Sequence, residues 1–151
     1  MMNLTPKETS FLNDFKTQEQ LCIDKYTKYS DEACCSCLKN LFSTLAKAEQ
    51  THLDTINSIL GGQEPQPKAA PSATGAVCND NGCYQDEQSR KIDKMLCQDM
   101  LAMEKHVSGV YNTGVFEFAN PLLRDSLAHI QKEEQNHGEQ LYSYMAANGM
   151  Y

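Results

Sequence analysis

The stretch Leu38-Lys39-Asn40-Leu41-Phe42-Ser43-Thr44-Leu45-Ala46-Lys47-Ala48-Glu49-Gln50-Thr51-His52-Leu53-Asp54-Thr55-Ile56-Asn57-Ser58-Ile59 decides the fold. Leu38, Phe42, Leu45, Glu49, His52, Ile56 and Ile59 follow one another in alternating steps of four and three. That is the spacing of side chains sharing one stripe of an α-helix. The stripe is apolar at both ends, yet an acid and an imidazole stand in its middle.

Read outward, the chain repeats the pattern three times. Leu12, Phe15, Glu19, Cys22, Tyr26, Tyr29 and Ala33 precede it, while Cys97, Met100, Glu104, Val107, Tyr111 and Gly114 follow, then Leu123, Leu127, Ile130, Glu134, His137, Leu141 and Tyr144. No segment shows the strict alternation of a half-buried strand. Helices are predicted over about 6–30, 31–60, 86–114 and 121–147. Ser30 and Asp31 are candidates to cap the second, and Asn120 before Pro121 to cap the fourth. Residues 61–84 hold Gly61, Gly62, Gly75, Gly82, Pro65, Pro67 and Pro71, the composition of a loop. Two short turns and one long connection predict an all-α fold in one domain, residues 1–151. It is a ferritin-like four-helix bundle of two antiparallel helical hairpins joined by a long crossover loop.

Four acids in four core stripes conflict with burial, because an ionised carboxylate loses several kcal/mol on leaving water unless it is paired. No lysine or arginine stands in these stripes. Glu49-Gln50-Thr51-His52 and Glu134-Gln135-Asn136-His137 each set a carboxylate and an imidazole one turn apart on one helix face. A single Glu-x-x-His is common on solvated faces, but here the two motifs are matched by Glu19 and Glu104, each 30 residues upstream. A constant offset of 85 residues also relates Glu19 to Glu104, Tyr26 to Tyr111, Leu38 to Leu123, Glu49 to Glu134 and His52 to His137. The chain therefore reads as a duplicated helical hairpin around a pseudo-two-fold axis.

The expected metal ligands are Glu19, Glu49, His52, Glu104, Glu134 and His137. Four carboxylates and two imidazoles suit iron or manganese, two ions per chain, better than a thiolate-preferring metal. By analogy with carboxylate-bridged dinuclear sites, Glu49 and Glu134 would bridge, Glu19 and Glu104 would be terminal, and His52 and His137 would each take one ion. Tyr26 and Tyr111 lie two turns from Glu19 and Glu104. They read either as ordinary core tyrosines or as partners of the ligands. His106 and His129 are expected at the surface or behind the ligands.

Composition narrows the partners. The 151 residues carry 13 Lys and Arg against 20 Asp and Glu, a net charge of -7. Such a balance disfavours nucleic acid and anionic membranes. Neither a membrane-spanning run nor a signal peptide is read at Met1-Met2-Asn3-Leu4-Thr5-Pro6-Lys7-Glu8, so synthesis in the cytoplasm is expected.

Leu4-Thr5-Pro6-Lys7-Glu8, Gln20-Leu21-Cys22, Lys25-Tyr26, Tyr29, Leu38-Lys39-Asn40-Leu41-Phe42 and Ala46-Lys47-Ala48-Glu49-Gln50-Thr51-His52 together resemble the spore coat F-like proteins of endospore-forming Firmicutes, within the ferritin-like superfamily. The resemblance implies a protein of the outer spore layers, made in the mother cell late in sporulation. It would assemble with other coat proteins or with itself, as a homodimer. The resemblance extends over both hairpins, but the two Cys-x-x-Cys motifs of a rubredoxin-like iron domain are missing, unlike in a full rubrerythrin.

Seven cysteines leave alternatives open. Cys34, Cys35 and Cys37 cluster at the first turn and Cys78 and Cys83 lie in the loop, where a Cys78–Cys83 disulfide, cross-links to neighbours and free thiols are all compatible with the sequence. Cys22 and Cys97 read as small apolar residues. Two functions follow: a structural or protective coat component that retains a metal site, or a di-metal oxidoreductase reducing peroxide or dioxygen. An iron-storage shell is a weaker third reading.

Overall fold

The computed structural model describes residues 1–66 and 83–151. Four helices run over Pro6–Glu32 (α1), Ser36–Leu60 (α2), Glu87–Val115 (α3) and Pro121–Ala147 (α4), with no strand among the described residues. Each is about 40 Å long at 1.5 Å per residue. The expected helices are therefore present, their ends differing by a few residues. The predicted loop falls largely on residues 67–82, which lie outside the described residues.

Local chemistry fixes three of the helix starts. The Thr5 side chain accepts from the Glu8 backbone N–H and the Glu8 side chain accepts from that of Thr5, a reciprocal capping box ahead of Pro6. Asp86 accepts from the Ser89 N–H at the head of α3, and Asn120 accepts from Leu122 at the head of α4. The Asn120-Pro121 cap thus forms as expected. The expected cap at Ser30 and Asp31 does not, because α1 runs on through both to Glu32. The residue before α2 is Cys35, whose side chain makes no capping bond. Fully buried Asp93 of α3 instead accepts from the backbone N–H groups of Cys34 at 2.7 Å and Cys35 at 2.9 Å. A carboxylate from the other hairpin caps α2 across the core.

α1 packs on α2 and α3 on α4, with thinner seams between α1 and α3 and between α2 and α4. Contacts across the α1–α3 seam run antiparallel, Phe15 meeting Tyr111 and Tyr26 meeting Glu104. Every residue of the four stripes is buried except Tyr29, which is half-exposed and donates its phenol to Asp99 at 2.6 Å. At Gly114, α3 comes close to α1. A β-carbon there would collide with the Phe15 ring, which stacks on Tyr111 at 4.5 Å.

The two ends of the long connection sit apart. The Gly62 carbonyl accepts from the Met2 N–H at 3.0 Å, beside the start of α1. Cys83 is disulfide-bonded to Cys35 at the α1–α2 turn. Of the alternatives open for Cys83, the structure excludes a bridge to Cys78 and a free thiol, since Cys83 takes a partner 48 residues away that the packed hairpin presents to it. Cys37 is disulfide-bonded as well, Cys34 is an exposed thiol, and Cys22 and Cys97 are buried thiols. Cys78 lies outside the described residues. None of the described helices is long and apolar enough to cross a membrane.

Candidate metal centre

Helical spacing places one carboxylate from α1 (Glu19), one from α3 (Glu104), and a carboxylate–imidazole pair from each of α2 (Glu49, His52) and α4 (Glu134, His137) at one level of the core. All six residues are buried, at 3% exposure or less. His52 Nδ1 lies 3.2 Å from Glu49, 3.1 Å from Glu134 and 3.7 Å from Glu19. His137 Nδ1 lies 2.9 Å from Glu49, 3.3 Å from Glu104 and 3.7 Å from Glu134. The two imidazole rings face each other with centroids 5.7 Å apart.

Two groups of potential ligand atoms result, each gathered within 4.8 Å: Glu19, Glu49, His52 and Glu134 in one, and Glu49, Glu104, Glu134 and His137 in the other. Glu49 and Glu134 are common to both. The structure thus brings together all six residues singled out in the sequence.

Tyr26 of α1 donates to Glu104 Oε1 at 2.5 Å, and Tyr111 of α3 donates to Glu19 Oε1 at 2.6 Å. Both phenols therefore act on the carboxylates directly, and both are also fully buried in the core. Each holds one oxygen and leaves the other, Glu104 Oε2 and Glu19 Oε2, buried without a hydrogen-bond partner, as is Glu134 Oε2. An unpartnered buried carboxylate oxygen is costly. All three belong to residues of the same cluster.

Behind His52, Glu133 Oε1 lies 3.0 Å from Nε2, and His129 lies 3.2 Å from the same oxygen. A carboxylate on the far nitrogen fixes an imidazole's orientation and leaves the near nitrogen for a cation. His129 is exposed at the surface, on the far side of Glu133 from His52. Glu133 carried no signal in the stripe pattern because it lies beside the core stripe, and the 85-residue offset pairs it with Ala48.

Electrostatics follow from burial and crowding. Burial and then the carboxylates of Glu19, Glu134 and Glu104 push the Glu49 carboxyl well above its ordinary range. Burial and the adjacent Glu134 raise Glu104 to about 8. Burial pushes Glu134 in the same direction, but contacts with Glu104, His137 and His52 outweigh it and hold this carboxyl well below its usual range. Burial disfavours imidazolium at His52 and His137, yet the surrounding carboxylates overcome it and raise both. Burial and the same carboxylates keep the Cys22 thiol protonated. Without metal, protons do the work of cations.

The donor set fits a pair of hard or borderline divalent cations. The ligand atoms are carboxylate oxygen and imidazole nitrogen, two carboxylates are placed to serve both positions, and three carboxylate oxygens have no hydrogen-bond partner. No lysine or arginine forms an ion pair with the six among the described residues.

One further group escaped the sequence reading. Asp93, besides capping α2, accepts from the Tyr84 phenol at 2.7 Å, and Tyr84 meets Tyr144 at 2.5 Å. Its three bonds serve the junction between the hairpins, away from the carboxylate cluster. A charged residue adjoining the Leu96–Cys97 stripe was the available signal.

Residues 92–151, most of α3 and all of α4, match the family model of the Coat F domain. Glu104, Glu134 and His137 lie inside that match. No curated protein and no solved structure matches the chain.

Proposed function

We propose that this chain is a spore coat protein of ferritin-like build whose bundle holds two iron or manganese ions in a structural and protective role. The coat assignment is supported by the Coat F match over residues 92–151. The metal reading is carried by one observation: Glu19 Oε2, Glu104 Oε2 and Glu134 Oε2 are buried and unpartnered within one cluster. Glu49 and Glu134 are the shared ligands, Glu19 with His52 completes one position, and Glu104 with His137 completes the other.

The separated ends of the long connection, Gly62 beside Met2 and Cys83 bonded to Cys35, support a crossover along the bundle. Assembly would be with other coat proteins or with a second copy of this chain. A bound pair of such ions would supply one-electron M(II)/M(III) steps toward peroxide or dioxygen. The protein's own contribution is to hold Glu104 and Glu19 through the Tyr26 and Tyr111 phenols and to keep water from most of the cluster. The oxidoreductase reading is favoured by one specific feature, a cleft of about 470 Å³ whose wall includes Glu104 and Glu134.

Elemental analysis of protein purified without chelator or nickel resin tests the metal reading. About two iron or manganese per chain is the expected result; a metal-free protein that also fails to take up either ion rejects it. The chain should also be detected in extracts of purified spore coats, and its absence there would remove the coat assignment.

A further inference from the structure

A cleft lies beside one half of the cluster. The cleft between α3 and α4 is walled in part by Glu104, Ser108, Glu134, Gly138, Glu139 and Tyr142. Two of these carry unpartnered buried oxygens, Glu104 Oε2 and Glu134 Oε2. Glu139 and Tyr142 are exposed, so the cleft runs from solvent to Glu104 and Glu134, which are buried beneath it.

The duplicated hairpin shows why the opening falls on this side. At the 85-residue offset, Gly138 corresponds to Leu53 and Ser108 to Ile23, so α1 and α2 carry large apolar side chains where α3 and α4 carry small ones. Leu53 is 5% exposed. α3 and α4 also pack less extensively on each other than α1 and α2. A β-carbon on Gly138 would meet Leu101 Cδ1 at 3.7 Å, an ordinary contact, so this glycine is not demanded by crowding at its own position. A mid-helix glycine costs about 1 kcal/mol relative to alanine. What it provides is the gap.

We infer that the α3–α4 cleft is the port through which divalent cations reach the centre, arriving first at the Glu104/His137 position, with the Glu19/His52 position filled from within. At the solvent side Glu139 is balanced by Lys105, and the net negative charge of the lining comes from Glu104 and Glu134 at the inner end. This rests on the metal reading above, and the experiment separates the two.

Chelator-treated full-length protein is mixed with Co(II) in a stopped-flow instrument and its absorption is followed, with the final stoichiometry measured by equilibrium dialysis. Gly138→Leu installs the side chain that the other hairpin carries, on a residue type that favours helix. It is expected to slow Co(II) uptake at least tenfold while leaving the number of ions bound unchanged. Ser108→Ile narrows the same cleft from the other helix and is the second variant should the first fail to fold. Leu53→Gly, at the corresponding place between α1 and α2, should leave the rate limited by the α3–α4 cleft and unchanged within about twofold. Wild-type uptake rates in both cleft-filling variants, with full stoichiometry, overturn the port and leave the metal site standing. No Co(II) bound by the wild-type protein overturns both.

Discussion

Tyr26 donates its phenol to Glu104 at 2.5 Å across the α1–α3 seam, and the residue 85 positions later, Tyr111, returns the same bond to Glu19 at 2.6 Å. The two bonds are exchanged between duplicated hairpins. Each orients one carboxylate and leaves its second oxygen buried without a hydrogen-bond partner, so the tyrosines belong to the carboxylate cluster as well as to the core. Fully buried phenols without a carboxylate would serve packing alone.

Tyr26→Phe should therefore weaken metal binding more than it weakens the fold. Loss of a buried hydrogen bond to a carboxylate costs about 1–3 kcal/mol, and loss of a residue supporting a ligand typically lowers affinity about 10- to 100-fold. Calorimetric titration with Mn(II) measures the second effect and thermal melts the first. Unchanged affinity in both Tyr26→Phe and Tyr111→Phe would reduce the phenols to core residues.

Ligand removal should be unequal. Glu49→Ala or Glu134→Ala takes a carboxylate from both groups of ligand atoms, whereas Glu19→Ala or Glu104→Ala takes one from a single group. The expected stoichiometries are near zero for the first pair and about one ion per chain for the second. Equal loss in all four would contradict shared and unshared roles.

The pH dependence of the metal-free protein has a definite sign. Glu104 is raised from 4.5 to about 8, and Glu49, His52 and His137 are raised too, while Glu134 alone is lowered. Between roughly pH 5 and 8 the native state then holds more protons than the unfolded chain, and stability falls as pH rises. The raised groups contribute most below their unfolded pKa values, and this is lost as pH climbs through the folded ones. Metal displaces those protons, so affinity should rise over the same interval. Melting curves of chelator-treated and Mn(II)-loaded protein across this range compare the two; a metal-free melting temperature that climbs with pH would contradict the proton-filled cluster.

The Cys35–Cys83 bridge closes a separation of 48 residues. In the chain-entropy limit such a loop stabilises by about 4 kcal/mol. Cys83→Ser should lower the melting temperature under oxidising conditions and should make the protein indifferent to a reductant at that bond. A variant that melts with the wild type would show that the bridge constrains little.

The helices and the clustered acids were legible in the sequence for one reason: each stripe obeys the 3-4 spacing without interruption, so Glu19, Glu49, Glu104 and Glu134 stood out as acids in apolar positions. What stayed hidden depends on contacts between hairpins. Ser30 and Asp31 resemble a cap by type, but the cap of α2 comes from Asp93, 58 residues beyond Cys35. Cys83 had a near neighbour in sequence at Cys78, while the fold delivers Cys35. Glu133 lies beside the core stripe, and its contact with His52 exists only once α2 and α4 are docked. The cleft was present in the duplication as the pairs Leu53/Gly138 and Ile23/Ser108, but side-chain size at two positions has no meaning until α3 and α4 are set face to face.

The most direct test of the central claim is anomalous X-ray diffraction from crystals of protein loaded with iron or manganese, measured at the absorption edge of the metal. The account predicts two anomalous peaks per chain about 3.5–4 Å apart, as in two-metal sites generally, both contacted by Glu49 and Glu134, with His52 Nδ1 on one and His137 Nδ1 on the other. A cluster without anomalous density, in protein whose bulk metal content is bound elsewhere, would contradict it.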